Sequence, residues 1–533
     1  MNRWRRYWFA AGGRYSLAVT RIAVAASVLL SLWRLMGDRP LAAPPEIYRP
    51  VGIWMLLGQT PPPELLVDAL WVLAWGGAAA MLLGLCARAA TAVSAIAGVA
   101  LAALSYSGKL SWSHQYNVVF LANLALLGGR TGDALSLDAL LRRRRGLPPR
   151  DVPRGYQWSV RLAVLAVSLM FVGAALYKIA SGHVTLRWAL SDNLRNHLVL
   201  RYDMSGLDRP PLVAWLLEEV WRYRMAALVN LVSQLAPLLA IASPHRRILR
   251  AIAGVFFVLE ILGLGLVMEL WNLSWLPLAA VFIDWDRAPG RAEAETGAQA
   301  KAWPSRGVQL FVIAFVAYEA VLSLLPGIDQ RLGTYPFSRF PMFAAIRAAA
   351  PYDQHLPYVV VGDHYEVISD EPIDHVIQGW LDHHNRNLYR ARDPEALRAR
   401  LGQVLARAQE RYVGSHIRGL RHYVALYTVP PYPEPARLVR RSLAITGELL
   451  PDGTFRSLLG RMTGTTVELR PQNLDARAAR LVAFTEDRPE PRALRGTRTG
   501  DTFVVEGAGE VEGALVYVAA ELDGQRWLVA RRR

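Results

Sequence analysis

The stretch YQWSVRLAVLAVSLMFVGAALYKIA, residues Tyr156–Ala180, decides the fold because it is long and apolar enough to cross a bilayer. Near its far end lies Lys178, one of only three lysines in a chain with 60 lysines and arginines. An ammonium group can lose its proton when it leaves water, whereas a guanidinium group keeps its charge. Lys178 is therefore the first candidate for a chemical role at membrane depth.

Eight further apolar runs accompany this one and predict a polytopic all-α membrane domain with about nine transmembrane helices. The shortest run is the weakest candidate and is also compatible with a re-entrant segment. The nine predicted spans are Ser16–Met36, Leu65–Leu85, Ala89–Tyr106, His114–Gly128, Gln157–Ala180, Arg224–Ser243, Arg250–Met268, Leu270–Ile283 and Gly307–Leu325.

Clusters of arginine predict the orientation of these spans. They lie before the first span, between the fourth and fifth, between the sixth and seventh, and before the last. With nine crossings, all four clusters fall on the cytoplasmic face of a cell (inner) membrane, and the C-terminal region is external. The first apolar run lacks a convincing cleavage site, so we interpret it as a retained span rather than a signal peptide.

Composition excludes several other classes of protein. Cys86 is the only cysteine among 533 residues, which excludes an intramolecular disulfide, a CxxC redox centre and a thiolate metal cage. The net charge of +16 could suggest nucleic acid, but the basic clusters flank apolar spans. We therefore predict a lipid bilayer, and no nucleic acid, as partner.

The residues after the last span have a different pattern. We predict a membrane domain over residues 1–285, a cytoplasmic linker with the last transmembrane helix over 286–326, and a soluble α+β domain over 327–533. A strand is expected at Pro357–Ile368, and Asp-Gly pairs at Asp452 and Asp523 predict hairpins. Helices are expected at Asp370–Tyr389 and Asp393–Tyr412. This domain could bind a protein or peptide partner.

Topology brings two titratable residues to the same level of the membrane. His114 opens the fourth span and Lys178 closes the fifth, so both are expected at the outer end of the bundle. Together they could line an outward-opening pocket, with Lys178 as base. The alternative is that Lys178 extends to the interface and that His114 is an ordinary interfacial polar residue.

Other polar residues in the spans are candidates for interhelical contacts. Glu260 and Glu269 are nine residues apart, which places them on opposite sides of a helix and predicts that they do not share a site. Asn230 and Gln234 share a helix face and could bond to another helix.

One histidine-rich stretch could suggest a metal. It contains His375, Asp382, His383 and His384, but it lacks the spacing of an HxxxH or HExxH motif. We therefore interpret these residues as ordinary polar side chains on the protein surface, and we predict no metal site.

Two stretches carry a resemblance to a known family. SHQYNVVFLANLALLGGRTGDALSLDALL (Ser113–Leu141) and LMFVGAALYKIASGHVTLRWALSDNLRNHL (Leu169–Leu198) resemble the HTTM domain of vitamin K-dependent γ-glutamyl carboxylases and their bacterial relatives. The resemblance covers most of the membrane region, to about residue 285. It departs from the family at Tyr177-Lys178, where the family has a lysine pair, and at Gln234, where relatives often have glutamate.

The resemblance implies a reaction and its residues. Lys178 matches the lysine proposed to deprotonate reduced vitamin K, and His114 matches a histidine that stabilises the reacting species. The implied cofactor is a reduced, vitamin K-like quinone, and the implied substrate is a glutamyl side chain that gains CO2. Two further hypotheses remain open: a non-catalytic membrane scaffold that presents an external interaction domain, and a transporter, which is weaker because no inverted pair of broken helices is visible.

Overall fold

The structure is a computed structural model of the full chain. It describes residues 3–37, 48, 50–58, 60–107, 115–150, 152–205, 207–287, 304–324, 334–337, 342–343, 346, 352–361, 364–367, 394–411, 417–428, 440–463, 466–485, 491–505 and 515–531.

Helices dominate the first two thirds of the chain. They are α1 (Arg3–Trp8), α2 (Arg14–Gly37), α3 (Glu64–Leu83), α4 (Ala87–Ser107), α5 (Asn117–Leu124), α6 (Leu137–Arg144), α7 (Gln157–Ser181), α8 (Arg187–Leu190), α9 (Asn193–Ser205), α10 (Pro211–Glu218), α11 (Val220–Leu235), α12 (Leu238–Ala242), α13 (Arg247–Met268) and α14 (Arg306–Leu324). Four 3₁₀ helices lie between them, at Gly52–Leu56, Pro153–Gly155, Leu273–Phe282 and Trp285–Arg287.

Six helices in the described part of the chain are long and apolar enough to cross a bilayer. They are α2, α3, α4, α7, the consecutive pair α11 and α12, and α13. Such a set is that of an integral membrane protein. Most residues of α2, α4 and α7 are buried, whereas fewer than half of those in α3, α11–α12 and α13 are, as expected of helices that face lipid.

The expected number of nine spans is wrong for the described residues, and two of the predicted spans explain most of the difference. The run His114–Gly128 forms only an eight-residue α-helix, α5, and Leu270–Ile283 forms a ten-residue 3₁₀ helix. Both are shorter than the roughly 20 residues that an α-helical span needs. The ninth run does form a helix, α14, of 19 residues.

The segment from Trp271 to Asp286, which contains this 3₁₀ helix, nevertheless runs along most of α2. At one end, Arg34 of α2 donates a hydrogen bond to the carbonyl oxygen of Trp271 at 2.9 Å. At the other, the Asp286 carboxylate accepts hydrogen bonds from the backbone N–H groups of Tyr15 and Ser16 at 2.9 and 3.1 Å. A 3₁₀ helix rises about 2.0 Å per residue, against about 1.5 Å for an α-helix. Fewer residues therefore cover the same distance.

Two buried arginines bind backbone carbonyl oxygens in or near the two short segments, α5 and the 3₁₀ helix Leu273–Phe282. Arg21 of α2 is fully buried and donates to the carbonyl oxygens of Thr131 and Leu135, at 2.7 and 2.5 Å. Arg250 of α13 donates to the Val281 carbonyl oxygen at 2.9 Å. Thr131 and Leu135 lie in the loop between α5 and α6, and Val281 lies in the last turn of the 3₁₀ helix. These guanidinium groups supply partners inside the bundle, where water is excluded.

The GDALSLD stretch, Gly132–Asp138, joins three helices on the arginine-rich face. Ser136 caps α6 by accepting from the backbone N–H of Ala139 at 3.0 Å. Asp138 accepts from the N–H groups of Cys86 and Ala87, at 2.9 and 2.8 Å, and so caps the start of α4. This stretch therefore has a structural role.

The described residues group into two compact units, 1–191 with 221–346 and 192–220 with 347–533. The second unit has one long helix, α15 (Pro394–Arg411), which agrees with the prediction for Asp393–Tyr412. Its strands are β1 (Tyr352–Val361), β2 (His364–Val367), β3 (Ile417–Thr428), β4 (Arg440–Leu449), β5 (Phe455–Arg456), β6 (Gly460–Thr463), β7 (Thr466–Leu469), β8 (Arg480–Thr485), β9 (Arg492–Ala493), β10 (Gly496–Thr499), β11 (Thr502–Val505), β12 (Leu515–Leu522) and β13 (Gln525–Arg531).

These strands form two sheets, so the prediction of an additional α+β domain is confirmed at this level. The larger sheet has the order β2-β1-β3-β4-β13-β12-β8-β9, with β5 beside β4, and the smaller has the order β10-β11-β7-β6. The predicted hairpin at Asp523 joins β12 to β13, and both Asp523 and Gly524 have positive φ angles, as a tight two-residue turn requires. The expected helix Asp370–Tyr389 lies outside the described residues.

Candidate functional site: a buried lysine–amide–glutamate network

Lys178 lies near the end of α7 and does not reach solvent. Its side chain is 2% exposed, although it lies within the last turn of the helix. The alternative interpretation, in which Lys178 extends to the membrane interface, does not agree with this burial. A buried amine needs polar partners, since leaving it without them would cost several kcal/mol, of the order of 2–7.

Two carboxamides of α11 supply those partners. The Nζ atom of Lys178 donates to Oδ1 of Asn230 at 2.6 Å and to Oε1 of Gln234 at 3.0 Å. Asn230 and Gln234 are four residues apart, so both side chains lie on one face of α11. The predicted interhelical bonding of this pair is confirmed.

The same two carboxamides continue the network to α13. Nδ2 of Asn230 and Nε2 of Gln234 both donate to Oε1 of Glu260, at 2.6 and 2.8 Å. Glu260 is 4% exposed and lies in the middle of α13. An amine and a carboxylate on different helices are thus joined by two amide bridges, and each amide uses its oxygen toward the amine and its nitrogen toward the carboxylate.

An aromatic ring covers the remaining side of the amine. The Nζ atom of Lys178 lies 4.3 Å from the centre of the Trp188 ring, within the range of a cation–π contact. Trp188 belongs to α8, and its own Nε1 donates to the Phe343 carbonyl oxygen at 2.9 Å, which fixes the ring. Two amide oxygens and one π face match the three N–H donors of an ammonium group.

This arrangement can hold charge and exchange a proton. When Lys178 is protonated, the Glu260 carboxylate balances its charge through neutral amides rather than through a direct ion pair. In a medium of low dielectric, such a charge pair is strongly coupled, so a proton gained or lost at one end changes the other. The network therefore has the components of a proton-handling site inside the bundle.

The other predicted residues have different surroundings. Glu269 ends α13 and is exposed, so the prediction that Glu260 and Glu269 do not share a site is confirmed. His114 lies outside the described residues, and its pairing with Lys178 stays a prediction. The histidine-rich stretch from His375 to His384 also lies outside them. In the part of the chain that is described, no cluster of metal-ligating side chains occurs.

Sequence reasoning missed two residues near the membrane core. The sequence gives no signal for Trp188, because its contact with Lys178 depends on the turn after α7. Glu319, in α14, is 1% exposed, and neither carboxylate oxygen has a hydrogen-bond partner among the described residues. The signal that could have singled out Glu319 is a carboxyl in an apolar run, the same signal that drew attention to Glu260.

A cavity of about 780 Å³ lies elsewhere, on the arginine-rich face. It is lined by Arg150, whose carbonyl oxygen accepts a hydrogen bond from Tyr156, the residue before α7. Lys178 is 21 residues beyond Gln157, the first residue of α7, which is about 32 Å at 1.5 Å per residue. The cavity and the buried network therefore lie at opposite ends of the helix.

Comparison with known proteins gives no relative from which to transfer a role: no protein-family model matches the chain, and neither the curated proteins nor the solved structures yield a match.

Proposed function

We propose that this chain is an HTTM-type integral membrane enzyme, related to the vitamin K-dependent γ-carboxylases, in which Lys178 acts as a base toward a reduced quinone. The observation that carries the proposal is the burial of Lys178 with a carboxylate placed behind it through two amides. Burial disfavours the protonated form of an amine, whereas an exposed lysine stays protonated and is a poor base at neutral pH. The network supplies what a base inside a membrane needs.

The residues of the network fit a reduced quinone in their chemistry. When bound, such a group supplies an acidic phenolic hydroxyl and a redox-active ring. Lys178 is the residue that would accept the proton, and the Glu260 carboxylate would balance the resulting charge. Trp188 offers a flat aromatic surface beside the amine, of the kind that packs against another ring. In this proposal His114 orients or stabilises the reacting species.

The orientation is part of the same proposal. With the basic clusters in the cytoplasm, the C-terminal end of α7, and hence Lys178, lies near the external side of a cell (inner) membrane. The site would then open outward, and the C-terminal sheet unit would be external. A glutamyl side chain of a protein or peptide on that side is the implied substrate.

A second function, a non-catalytic scaffold presenting the sheet unit, is favoured by one observation. Each side of the Lys178 amine that the structure describes is already occupied, by two amides and a ring. A network of this kind can also serve only to fix three helices in register, as buried polar groups do in some proteins.

The experiment that separates the two is incorporation of labelled bicarbonate into a glutamyl peptide by the purified chain, supplied with a reduced quinone. We expect incorporation by the wild type and a loss of about 10²–10⁴-fold in Lys178→Arg, the usual contribution of a general base. Arginine keeps the positive charge but cannot lose its proton. Extraction of the purified protein, with mass spectrometry of any bound quinone, identifies the ligand.

The matched control is Glu269→Gln, which makes a glutamate-to-glutamine change at an exposed position outside the network. It should keep wild-type incorporation, whereas Glu260→Gln should lose it. Wild-type activity in Lys178→Arg would remove Lys178 from the chemistry. A quinone-loaded wild type that incorporates nothing would favour the scaffold.

A further inference from the structure

The cavity on the arginine-rich face has a wall of unusual charge. Two carboxylates and six guanidinium groups line it. The six arginines are Arg14, Arg88, Arg142, Arg143, Arg145 and Arg150.

Both carboxylates are already engaged by other groups. Asp138 accepts from the two backbone N–H groups at the start of α4. Asp133 accepts from the Arg130 guanidinium and from the Tyr156 hydroxyl, each at 3.0 Å. Both carboxylates keep their charge, but six arginines against two aspartates leave the lining with an excess of positive charge.

Several of these arginines have no acidic partner of their own. In the described ranges, no carboxylate lies within 4 Å of the guanidinium of Arg88, Arg143 or Arg145. Arg142 uses its Nε to bind the carbonyl oxygen of Pro148 at 2.7 Å, which holds its side chain in place. Guanidinium groups in this state are suited to bind the oxygens of a phosphate, often through two parallel hydrogen bonds.

Apolar side chains lie between the arginines. Five leucines that line the cavity are 42–46% exposed, although each could be covered by a ligand with an apolar part. They are Leu85, Leu135, Leu140, Leu141 and Leu147. A free phosphate ion would leave them exposed, whereas a lipid would cover them with its glycerol and acyl chains.

We propose that this cavity binds the phosphate headgroup of an anionic phospholipid from the leaflet on the arginine-rich side. Its volume of about 780 Å³ accommodates a headgroup with the first part of its chains, and it lies within the usual range of ligand sites. The cavity lies at the end of the bundle where basic residues meet the bilayer surface, where anionic lipids are concentrated. The bound lipid would connect α6, α4 and the start of α2.

Cys86 provides a direct readout of occupancy. It lines the cavity, is exposed and is the only cysteine in the chain. The full-length protein in a neutral detergent is treated with an uncharged maleimide, and the rate of Cys86 alkylation is measured as lipid is added to the micelles. We expect phosphatidylglycerol to slow alkylation in a saturable way. Phosphatidylcholine and inorganic phosphate at the same concentrations should have little effect.

Substitution tests whether the arginines of the cavity, rather than the charge of the whole face, hold the lipid. Arg143→Gln with Arg145→Gln should raise the phosphatidylglycerol concentration needed for half protection by roughly tenfold or more. Both side chains are exposed, so the fold should tolerate the change. The matched control is Arg246→Gln with Arg247→Gln, two exposed arginines at the start of α13 that do not line the cavity.

Each alternative result has a clear meaning. Equal loss of protection in the control pair would show attraction to the charged face in general and would overturn the proposal. Protection by phosphatidylcholine would show shielding by any lipid, and protection by inorganic phosphate alone would show an ion site. Because each variant is compared with and without lipid, a change in the intrinsic reactivity of Cys86 cancels.

Discussion

Lys178 and Glu260 are residues that depend on each other's charge, although they do not touch. The two amides between them carry one hydrogen bond to each end, so removing either charged group leaves the other buried with an incomplete set of partners. Breaking a buried charge pair is costly for this reason, whereas replacing both members together can be nearly neutral.

At this scale we predict that Glu260→Gln destabilises the membrane domain by about 3–5 kcal/mol, because the Lys178 ammonium loses its counter-charge. Glu269→Gln, at the exposed end of the same helix, should change stability by less than about 0.5 kcal/mol. The measurement is the free energy of unfolding in mixed micelles.

The double variant Lys178→Met with Glu260→Gln should lose less than the sum of the single losses, by about 0.5–3 kcal/mol. Strict additivity would mean that the two groups do not interact, and the network would then be an accident of packing.

The sequence indicated part of this site. Lys178 was visible because lysine is rare in this chain, and Glu260 because a carboxyl in an apolar span requires a partner. The helical spacing of Asn230 and Gln234 predicted that they act together. Which helix they face, and the contact of Trp188 with the amine, depend on how α7, α8, α11 and α13 pack. No periodicity in a single segment contains that information.

The turn between α3 and α4 has no room for a Cβ atom at Gly84. Gly84 has a φ of 68°, and a Cβ atom there would lie 2.3 Å from the Cβ of Ser136 and 2.7 Å from Nη1 of Arg21. Gly146 has the same φ of 68°, but nothing lies within 4 Å of its Cβ position. Substitutions at Gly84 and Gly146 therefore distinguish the cost of backbone strain, which both share, from the cost of a steric clash, which only Gly84 has.

We therefore predict that Gly146→Ala costs only the strain of a left-handed backbone, about 1–2 kcal/mol. Gly84→Ala should cost at least about 1 kcal/mol more, since it also displaces Arg21, which binds the loop between α5 and α6. Thermal unfolding of the two purified variants, side by side, makes the comparison. Equal losses of stability in the two variants would show that Arg21 can move away without a loss of stability.

Element length is also where prediction from the sequence was least accurate. A search for apolar runs of about 20 residues assumes the rise per residue of an α-helix. Such a search can only accept or reject a complete transmembrane helix, so it cannot describe short segments such as α5 and the 3₁₀ helix Leu273–Phe282. The boundaries of α2, α4, α7 and α13 follow the apolar runs closely, because those runs are long and flanked by arginine. The short segments depend on Arg21 and Arg250, which lie far from them in the sequence.

For the whole molecule, the distribution of arginine predicts a single orientation. Cys86 lies between α3 and α4 on the arginine-rich face, so a membrane-impermeant maleimide should label it in inside-out vesicles and not in intact spheroplasts. In a Cys86→Ser background, Gln525→Cys, at the exposed start of β13, should show the reverse pattern.

Labelling of both cysteines from the same side would contradict the proposed external position of the sheet unit. Labelling of Cys86 in intact spheroplasts would reverse the orientation of the bundle, and with it the side on which Lys178 lies.

The 3₁₀ helix Leu273–Phe282, which lies beside α2, limits which changes of sequence the protein can tolerate. Each residue of a 3₁₀ helix turns the chain by about 120°, since three residues complete a turn. Adding or deleting one residue within this helix would therefore turn the side chains that follow in the helix toward other neighbours. It would also shift them by about 2 Å along the helix axis. Exchanges of similar size are compatible with this segment, but changes of length are not, whereas loops at the bilayer surface can absorb both.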